Sequence, residues 1–380
     1  MGKAYVLGVG MTRFGQRPET PMEEMGIEAL REALDDAGIE PRQIEAVYCG
    51  HRHQGGYPGQ RVMAAFGFSG VPVINLENAC ASGACAVRES FFAVQAGRYD
   101  VCLALGVEKM VGKVVWPLAP PPEDLESSLG ITFPALYALR ARCYMESYGL
   151  SPEQLAKIAV TNRKNAYYNE KSSLGELISV EDVLNSRMVA SPLHLYDCNP
   201  NTDGAAAAIV VSEKMAKRVG GRPVEIVASS LTSGKFESGF IDMTFEEMTW
   251  RAAKEAYQMA GIGPENIDFA EVHDCFTIAE VLRVEGLGLC KRGEMVRWIE
   301  EGVNEISGSM PINPSGGLLG KGHPLGATGV AQIREIVLQL RGEAGVRQIE
   351  DARIGLAHTR GGSVSGTEGA ACSVIIIRKT

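Results

Sequence analysis

Residues 23–44, EEMGIEALREALDDAGIEPRQI, return as residues 246–267, EEMTWRAAKEAYQMAGIGPENI. At a fixed offset of 223 the two stretches match at 11 of 22 positions without a gap, Ala37-Gly38-Ile39-x-Pro41 included. Amphipathic helices converge on a pattern of apolar positions, but not on the same helix end residue by residue, so the chain reads as a duplication. Thr20 with Glu23, and Thr244 with Glu247, have capping-box spacing, and Pro21 suits a first helical position. Gly38 and Gly261 can take the left-handed backbone that closes a helix. A short apolar strand follows each copy, at 45–49 and 268–272, and another precedes each, at 4–10 and 224–229. Two units are too few for a solenoid. They are expected to form two similar α/β layers packed face to face, with the sheets buried between helices.

A second echo lies deeper in each half. Ala81-Ser82-Gly83 and Ala327-Thr328-Gly329 each open a run of small residues, suited to the most enclosed helices of a domain. Between the halves, residues 108–195 break the pattern with Pro117, Pro120, Pro121 and Pro122, then helical stretches near 134–146 and 151–168. A long insertion of this kind is where lids and substrate contacts are found. Trp116 and the 14 methionines suit a roomy pocket or plain core packing equally.

Composition narrows the function classes. The net charge of −9 is spread along 380 residues with no basic stripe, which argues against nucleic acid. No stretch approaches the roughly 18–20 apolar residues of a membrane helix, and the start has no long apolar leader. Nine cysteines at irregular spacings, none in a CxxC, fit free thiols in a reducing cytoplasm.

Four clusters carry candidate chemistry. Asn78-Ala79-Cys80-Ala81-Ser82-Gly83 places a cysteine between an apolar run, 71–74, and a small-residue helix, whose N-terminus is expected to lower the thiol's pKa. Gly320-Lys321-Gly322-His323-Pro324-Leu325-Gly326 leads into the matching helix of the second half, so the pseudo-symmetry sets His323 opposite Cys80 as a base for its proton. The loop is not a Walker A motif, since Gly322 follows Lys321 and Ser315 stands five positions before Gly320. A dinucleotide fingerprint fails at Arg13. His273-Asp274-Cys275-Phe276 and His358-Thr359-Arg360-Gly361-Gly362 both follow apolar strands and point into a crevice. His51-x-His53 has no neighbouring ligand that completes a metal spacing, and is read as a loop.

NACASG and GKGHPLGATG resemble the nucleophile and Gly-His-Pro motifs of the thiolase superfamily. Asp197-Cys198-Asn199-Pro200-Asn201-Thr202-Asp203-Gly204 resembles that family's return from an inserted loop domain, and HDCF its sterol-carrier-linked and archaeal branch. The resemblance covers nearly the whole chain. It implies an α/β duplicated αβαβα layered fold: an N-terminal half at 1–107 plus 196–220, a loop domain at 108–195, and a C-terminal half at 221–380. It implies an acyltransferase that forms or cleaves a 3-oxoacyl-CoA through an acyl-Cys80 intermediate, with coenzyme A as substrate and neither a permanent cofactor nor a metal. His323 would take the Cys80 proton, and His273 would hold a water of an oxyanion hole. Cys275 would be the second acid/base, with His358 the alternative. The Cys80 amide and that of Gly361 or Gly362 would complete the tetrahedral oxyanion site.

Thr359 and Arg360 depart from the branch's usual His-Asn-x-Gly. Arg360 could pair with a carboxylate of the acyl group, which would suit a dicarboxylic or aromatic 3-oxoacyl-CoA such as benzoylsuccinyl-CoA, or it could be an ion-pair residue at a surface or interface. The resemblance further implies a homodimer or higher oligomer and a small OB-fold, zinc-ribbon acyl-CoA-binding partner. Rival readings are a retro-aldol lyase of CoA esters, against which the retained Cys80, Cys275 and His323 argue, and a non-catalytic acyl-CoA- or lipid-binding subunit.

Overall fold

The computed structural model describes residues 2–68, 70–114, 118, 125–235, 241–364 and 369–380. Trp116, Pro117, Pro120, Pro121 and Pro122 lie outside them. The first half runs β1 (Ala4–Met11), α1 (Met22–Ala37), β2 (Ala46–Gly50), α2 (Pro58–Phe66), β3 (Val73–Leu76), α3 (Ser82–Gln95) and β4 (Val101–Glu108). There follow α4 (Leu125–Ser128), α5 (Phe133–Tyr148), α6 (Pro152–Tyr167), α7 (Val180–Asn185) and a small hairpin, β5 (Met188–Ala190) with β6 (Leu193–His194). The chain then returns as β7 (Gly204–Ser212) and α8 (Glu213–Val219). The second half is β8 (Val224–Thr232), α9 (Glu247–Ala260), β9 (Phe269–Glu271), α10 (Thr277–Gly286), α11 (Met295–Glu301), α12 (Leu325–Arg341), β10 (Ile354–Gly361) and β11 (Ala371–Lys379).

The duplication reappears as topology. The strands run β3-β2-β4-β7-β1-β8-β11-β10-β9. Parallel β2–β4, antiparallel β4–β7 and antiparallel β7–β1 are matched by β9–β10, β10–β11 and β11–β8. The expected separate sheets are instead continuous: Ala4, Tyr5 and Val6 pair antiparallel with Ile226, Glu225 and Val224. Equivalent strands of the two halves thus meet at the pseudo-two-fold.

The repeat helices α1 and α9 pack on the outer faces, against β1 and β7, and β8 and β11. Met25, Ala29, Leu30 and Ala33 recur at helical spacing and are buried, each large side chain contributing roughly 1.5–3 kcal/mol. Gly38 and Gly261 close their helices in the left-handed conformation. The two capping boxes do not form. Pro21 is the N-cap of α1, without a side-chain bond, and Thr244 donates its hydroxyl to Asp242 Oδ1 at 2.7 Å.

Helices α3 and α12 pack against each other and against strands of both halves. A Cβ on Gly83 would lie 2.5 Å from the Gly326 carbonyl oxygen, and one on Gly329 2.3 Å from the Ala84 nitrogen, so only glycine permits this approach. The same closeness accounts for the run Ala205–Ala208 in β7, buried throughout: small side chains on a central strand let helices press on both faces, overriding alanine's helix preference.

Candidate active site

Between β3 and α3 the chain makes a tight turn with Ala79 at φ 49°, a left-handed conformation that costs a non-glycine residue of order 1–3 kcal/mol. The turn is held from within. Asn78 N–H donates to Ser82 Oγ at 2.9 Å, Ser82 Oγ to the Ala79 carbonyl at 2.6 Å, and Ala79 N–H to Glu77 Oε1 at 2.7 Å. Cys80 stands at its apex, half-buried, facing a cavity of about 480 Å³. Gly361 backs the turn so closely that a Cβ there would lie 2.1 Å from the Asn78 carbonyl oxygen, and the backbone amide of Gly362 favours the ionised form of Cys80.

The expected low thiol pKa is not found. Burial, reinforced by Cys275, pushes the Cys80 thiol up to about 12, and the Gly362 amide offsets only part of this. Desolvation of a thiolate outweighs the one amide directed at it, because α3 begins only at Ser82.

His323 compensates. Its Nδ1 lies 2.7 Å from Thr328 Oγ1, while that hydroxyl donates its single proton to the Pro324 carbonyl at 2.9 Å. Nδ1 must therefore carry the hydrogen, leaving the lone pair on Nε2, which is buried and has no hydrogen-bond partner among the described residues. Burial, with Lys321 adding to it, takes the imidazole down to about 3, so it is neutral. One donor atom each of Cys80, His273 and His323 lie within 4.8 Å of one another, and the two rings meet edge to face at 5.0 Å. With a high thiol and a low imidazole, the resting pair is uncharged, so proton transfer must accompany bond formation at sulfur.

The segment after β9 carries the rest of the site. Asp274 accepts the N–H groups of Leu318 and Leu319 at 2.7 and 3.2 Å, tying this loop to the one that ends in His323. His273 and Cys275 line the cavity on either side. Burial raises the Cys275 thiol, while Arg283, the Tyr137 phenol and Arg360 oppose that rise. His273 Nδ1 is buried without a hydrogen-bond partner among the described residues, and burial, His323 and nearby guanidiniums hold the ring well below its usual pKa.

His358 is not on the cavity wall. It lies behind His273, accepting that residue's backbone N–H on Nδ1 at 3.5 Å, with Nε2 3.1 Å from Thr249 Oγ1 and 3.4 Å from Cys372 Sγ. Arg360, by contrast, does line it, and it is buried rather than on the surface. Its Nη1 donates to Tyr137 Oη at 3.1 Å and its Nε lies 3.7 Å from Glu246 Oε2. Glu246 also pairs with Arg140 and approaches Arg283 at 3.8 Å, so three buried guanidiniums surround one carboxylate. Burial alone would raise that carboxyl; the three cations hold it far below the usual range.

Several wall residues had no sequence signal of their own. Tyr137 and Phe133 of α5 are an aromatic pair in an ordinary helix, and Arg52 and His53 belong to the His51-x-His53 stretch read as a plain loop. That loop is pinned by Glu108, whose carboxylate accepts the N–H groups of Arg52 and His53 at 2.8 Å each and of Gly326 at 2.9 Å. Asn199 and Asn201 lay inside the quoted DCNPNTDG segment, where they could have been picked out.

Comparison with known proteins places this arrangement. The description "Thiolase, N-terminal domain" matches residues 4–214, and "Thiolase C-terminal domain-like" matches residues 230–374. The chain is 42% identical to an acetyl-CoA acetyltransferase of Methanothermobacter thermautotrophicus, over 96% of this chain and 97% of the relative. It is 37% identical to the benzoylsuccinyl-CoA thiolase subunit BbsB of Thauera aromatica, over 95% of each. Among solved structures, the Ltp2-ChsH2(DUF35) aldolase superposes with a TM-score of 0.86 at 26% identity, covering 100% of this chain and 98% of that one.

Proposed function

This chain belongs to the thiolase family and is a thiolase, and from that premise we propose that it transfers acyl groups through a thioester on Cys80, with CoA esters as dissociable substrates and no resident cofactor. His323 Nε2 takes the Cys80 proton as the sulfur attacks the 3-oxo carbon. The amides of Cys80 and Gly362 face the oxyanion. The C2–C3 bond then breaks, its electron pair becomes the enolate of acetyl-CoA, and the Cys275 thiol protonates that carbon. His323, now protonated, and a water on His273 stabilise the enolate oxygen. The Cys275 thiolate next takes the proton of an incoming CoA thiol, whose sulfur displaces the acyl group, and His323 returns its proton to Cys80. Run backwards, the same steps are a Claisen condensation.

The observation that carries this reading is the grouping of Cys80, His273 and His323 within 4.8 Å on a cavity that Cys275 also lines. Intact-mass measurement after mixing with acetyl-CoA tests it. An acetyl adduct is expected on the native chain and not on Cys80→Ser. Cleavage of a CoA ester to a ketone or aldehyde with no adduct would establish the retro-aldol lyase suggested by the likeness to an aldolase; neither adduct nor turnover would leave a binding subunit.

The acyl group we assign is an acidic one, dicarboxylic or aromatic. Arg360 is on the cavity wall, where it shares Glu246 with Arg140 and Arg283, and one relative is a benzoylsuccinyl-CoA thiolase subunit. Arg360→Ala should lose about tenfold or more kcat/KM on a dicarboxylic 3-oxoacyl-CoA beyond its loss on acetoacetyl-CoA; equal losses refute the assignment. Phe133, Leu136 and Tyr137 on the same wall support the reading of 108–195 as a loop domain that shapes this pocket. A relative named as a subunit and a similar chain solved with a DUF35 protein support a small partner, which we take to be of the OB-fold, zinc-ribbon kind; the homodimer is proposed on the family resemblance alone. The free cysteines suit a reducing cytoplasm, and no helix among the described residues is long and apolar enough to cross a membrane.

A further inference from the structure

We propose that the pocket is also a site for a zinc-type divalent ion, held by Cys80, His273 and His323, and that the ion reversibly blocks the nucleophile. The three side chains come from separate segments: the turn after β3, the loop after β9 and the loop before α12. One donor atom of each nevertheless lies within 4.8 Å of the other two. Among the described residues this is the one such grouping of His, Cys, Asp and Glu side chains. Sulfur and imidazole nitrogen without a carboxylate are the donors that borderline transition ions take, whereas magnesium and calcium take oxygen.

Both imidazoles have a nitrogen to spare. His273 and His323 are each only 2% exposed, and His273 Nδ1 and His323 Nε2 have no hydrogen-bond partner among the described residues. The rings meet edge to face at 81°, an arrangement in which lone pairs lying in the ring planes can converge on one point, as those of stacked rings cannot. His323 also has the outer support typical of a metal-bound histidine. Its Nδ1–H is fixed by Thr328 Oγ1 at 2.7 Å, and that hydroxyl by the Pro324 carbonyl at 2.9 Å, which leaves the lone pair on Nε2.

Zinc takes nitrogen at about 2.0–2.1 Å and thiolate sulfur at about 2.3 Å, so tetrahedral donors stand roughly 3.3–3.6 Å apart. Reaching that spacing from 4.8 Å or less is a closure of at most about 1.5 Å, within reach of side-chain rotation beside a cavity of about 480 Å³. Three protein donors leave the fourth position open to that cavity, for water. As the sulfur–zinc bond forms, the Cys80 S–H bond breaks and its proton leaves to solvent, with no change of oxidation state. The thiolate neutralises half the charge of the ion, and the nearby Lys321 is itself paired with Glu271 at 3.3 Å. With sulfur and Nε2 both occupied, neither attack nor proton transfer takes place until the ion leaves. Binding stands on the geometry alone; its effect on catalysis rests on the thiolase reading above.

The test is alkylation of Cys80 by iodoacetamide in the intact protein, with and without a slight excess of zinc, read by peptide mass spectrometry with the other cysteines of the same digest as reference. Zinc is expected to slow Cys80 about tenfold or more, EDTA to restore it, and magnesium or calcium to leave it unchanged. His273→Ala and His323→Ala should each raise the zinc concentration needed for protection by about a hundredfold or more, and Thr328→Val by about tenfold. Cobalt(II) added to the native chain decides if a histidine variant does not fold: the intense visible bands of a four-coordinate ion are expected, with a thiolate charge-transfer band. Alkylation of Cys80 unaffected by zinc, protection kept in both histidine variants, or the pale spectrum of six-coordinate cobalt would each overturn the proposal. No coenzyme A enters these measurements, so a chain that binds zinc but gains no acetyl group on Cys80 from acetyl-CoA would refute the thiolase reading and leave the metal site standing.

Discussion

Replacing Thr328 by valine tests whether the tautomer of His323 is imposed by its own helix. The side chains have nearly the same shape, so the packing of α12 is kept while the acceptor 2.7 Å from Nδ1 is lost. An N–H left buried without a partner costs about 1–3 kcal/mol. The imidazole can avoid that cost by moving its hydrogen to Nε2, where water entering the cavity that His323 lines can accept it, but Nε2 is the atom that has to receive the Cys80 proton. The competent tautomer should therefore fall in population by a factor of roughly 5–150, with about 30 a central value for 2 kcal/mol. Rapid-quench mass spectrometry of Cys80 acetylation by saturating acetyl-CoA reads this population directly. The expected result is a 10- to 100-fold slower acetylation for Thr328→Val with half-saturation little changed, and recovery to within a few-fold in Thr328→Ser, which restores the hydroxyl. Acetylation by the valine variant within twofold of the native rate would refute the argument, since Thr328 would then not determine which nitrogen is free.

Linkage gives a second prediction. His323 sits at about 3 in the folded chain, chiefly through burial, against an ordinary value near 6.5. Between those pH values the unfolded chain binds a proton there that the folded chain does not, so folding loses up to about 1.4 kcal/mol per pH unit from this group as pH falls through that window. Raised carboxyls such as Glu280, at about 7 mainly through burial, act in the opposite direction. The measurement is therefore a difference: urea unfolding of His323→Asn and the native chain between pH 6 and 4 should show a shallower acid loss in the variant, and parallel curves would contradict the burial of a neutral imidazole. Gly329→Ala supplies the third. Helix propensity alone would make it stabilising by about 1 kcal/mol, but a Cβ 2.3 Å from the Ala84 nitrogen would force α3 and α12 apart, so a net loss of about 2 kcal/mol or more is expected in urea unfolding. An unchanged or raised midpoint would mean that the two helices are not in contact there.

The duplication, the main strands and the left-handed helix ends at Gly38 and Gly261 were legible in the sequence, because apolar periodicity and backbone permissiveness are local properties. So were the segments that carry Cys80, His323, His273 and Cys275, each a short run whose residue types suit its place between a strand and a helix. What the repeat could not say is how its two copies differ in use. Glu23 and Glu246 are the same residue at equivalent positions, yet Glu23 pairs with Arg61 at the surface while Glu246 is sunk among Arg140, Arg283 and Arg360. The capping boxes failed for a related reason: Thr244 is drawn to Asp242, and the chain enters α9 with Glu246 turned into the guanidinium cluster.

Electrostatics depended on the assembled fold altogether. The sign of the Cys80 shift follows from how much water the surrounding helices and loops exclude, which no motif records. Cys275 was the expected second acid/base and His358 its alternative; the pairing of β9 with β10 put His358 behind His273 and left Cys275 on the cavity. Tyr137 shares the cavity wall with Cys275 and stacks on Phe276 from far away along the chain, an arrangement no local pattern encodes. Spacing along a chain governs what a segment can become, whereas pKa and reach depend on neighbours that only folding brings together.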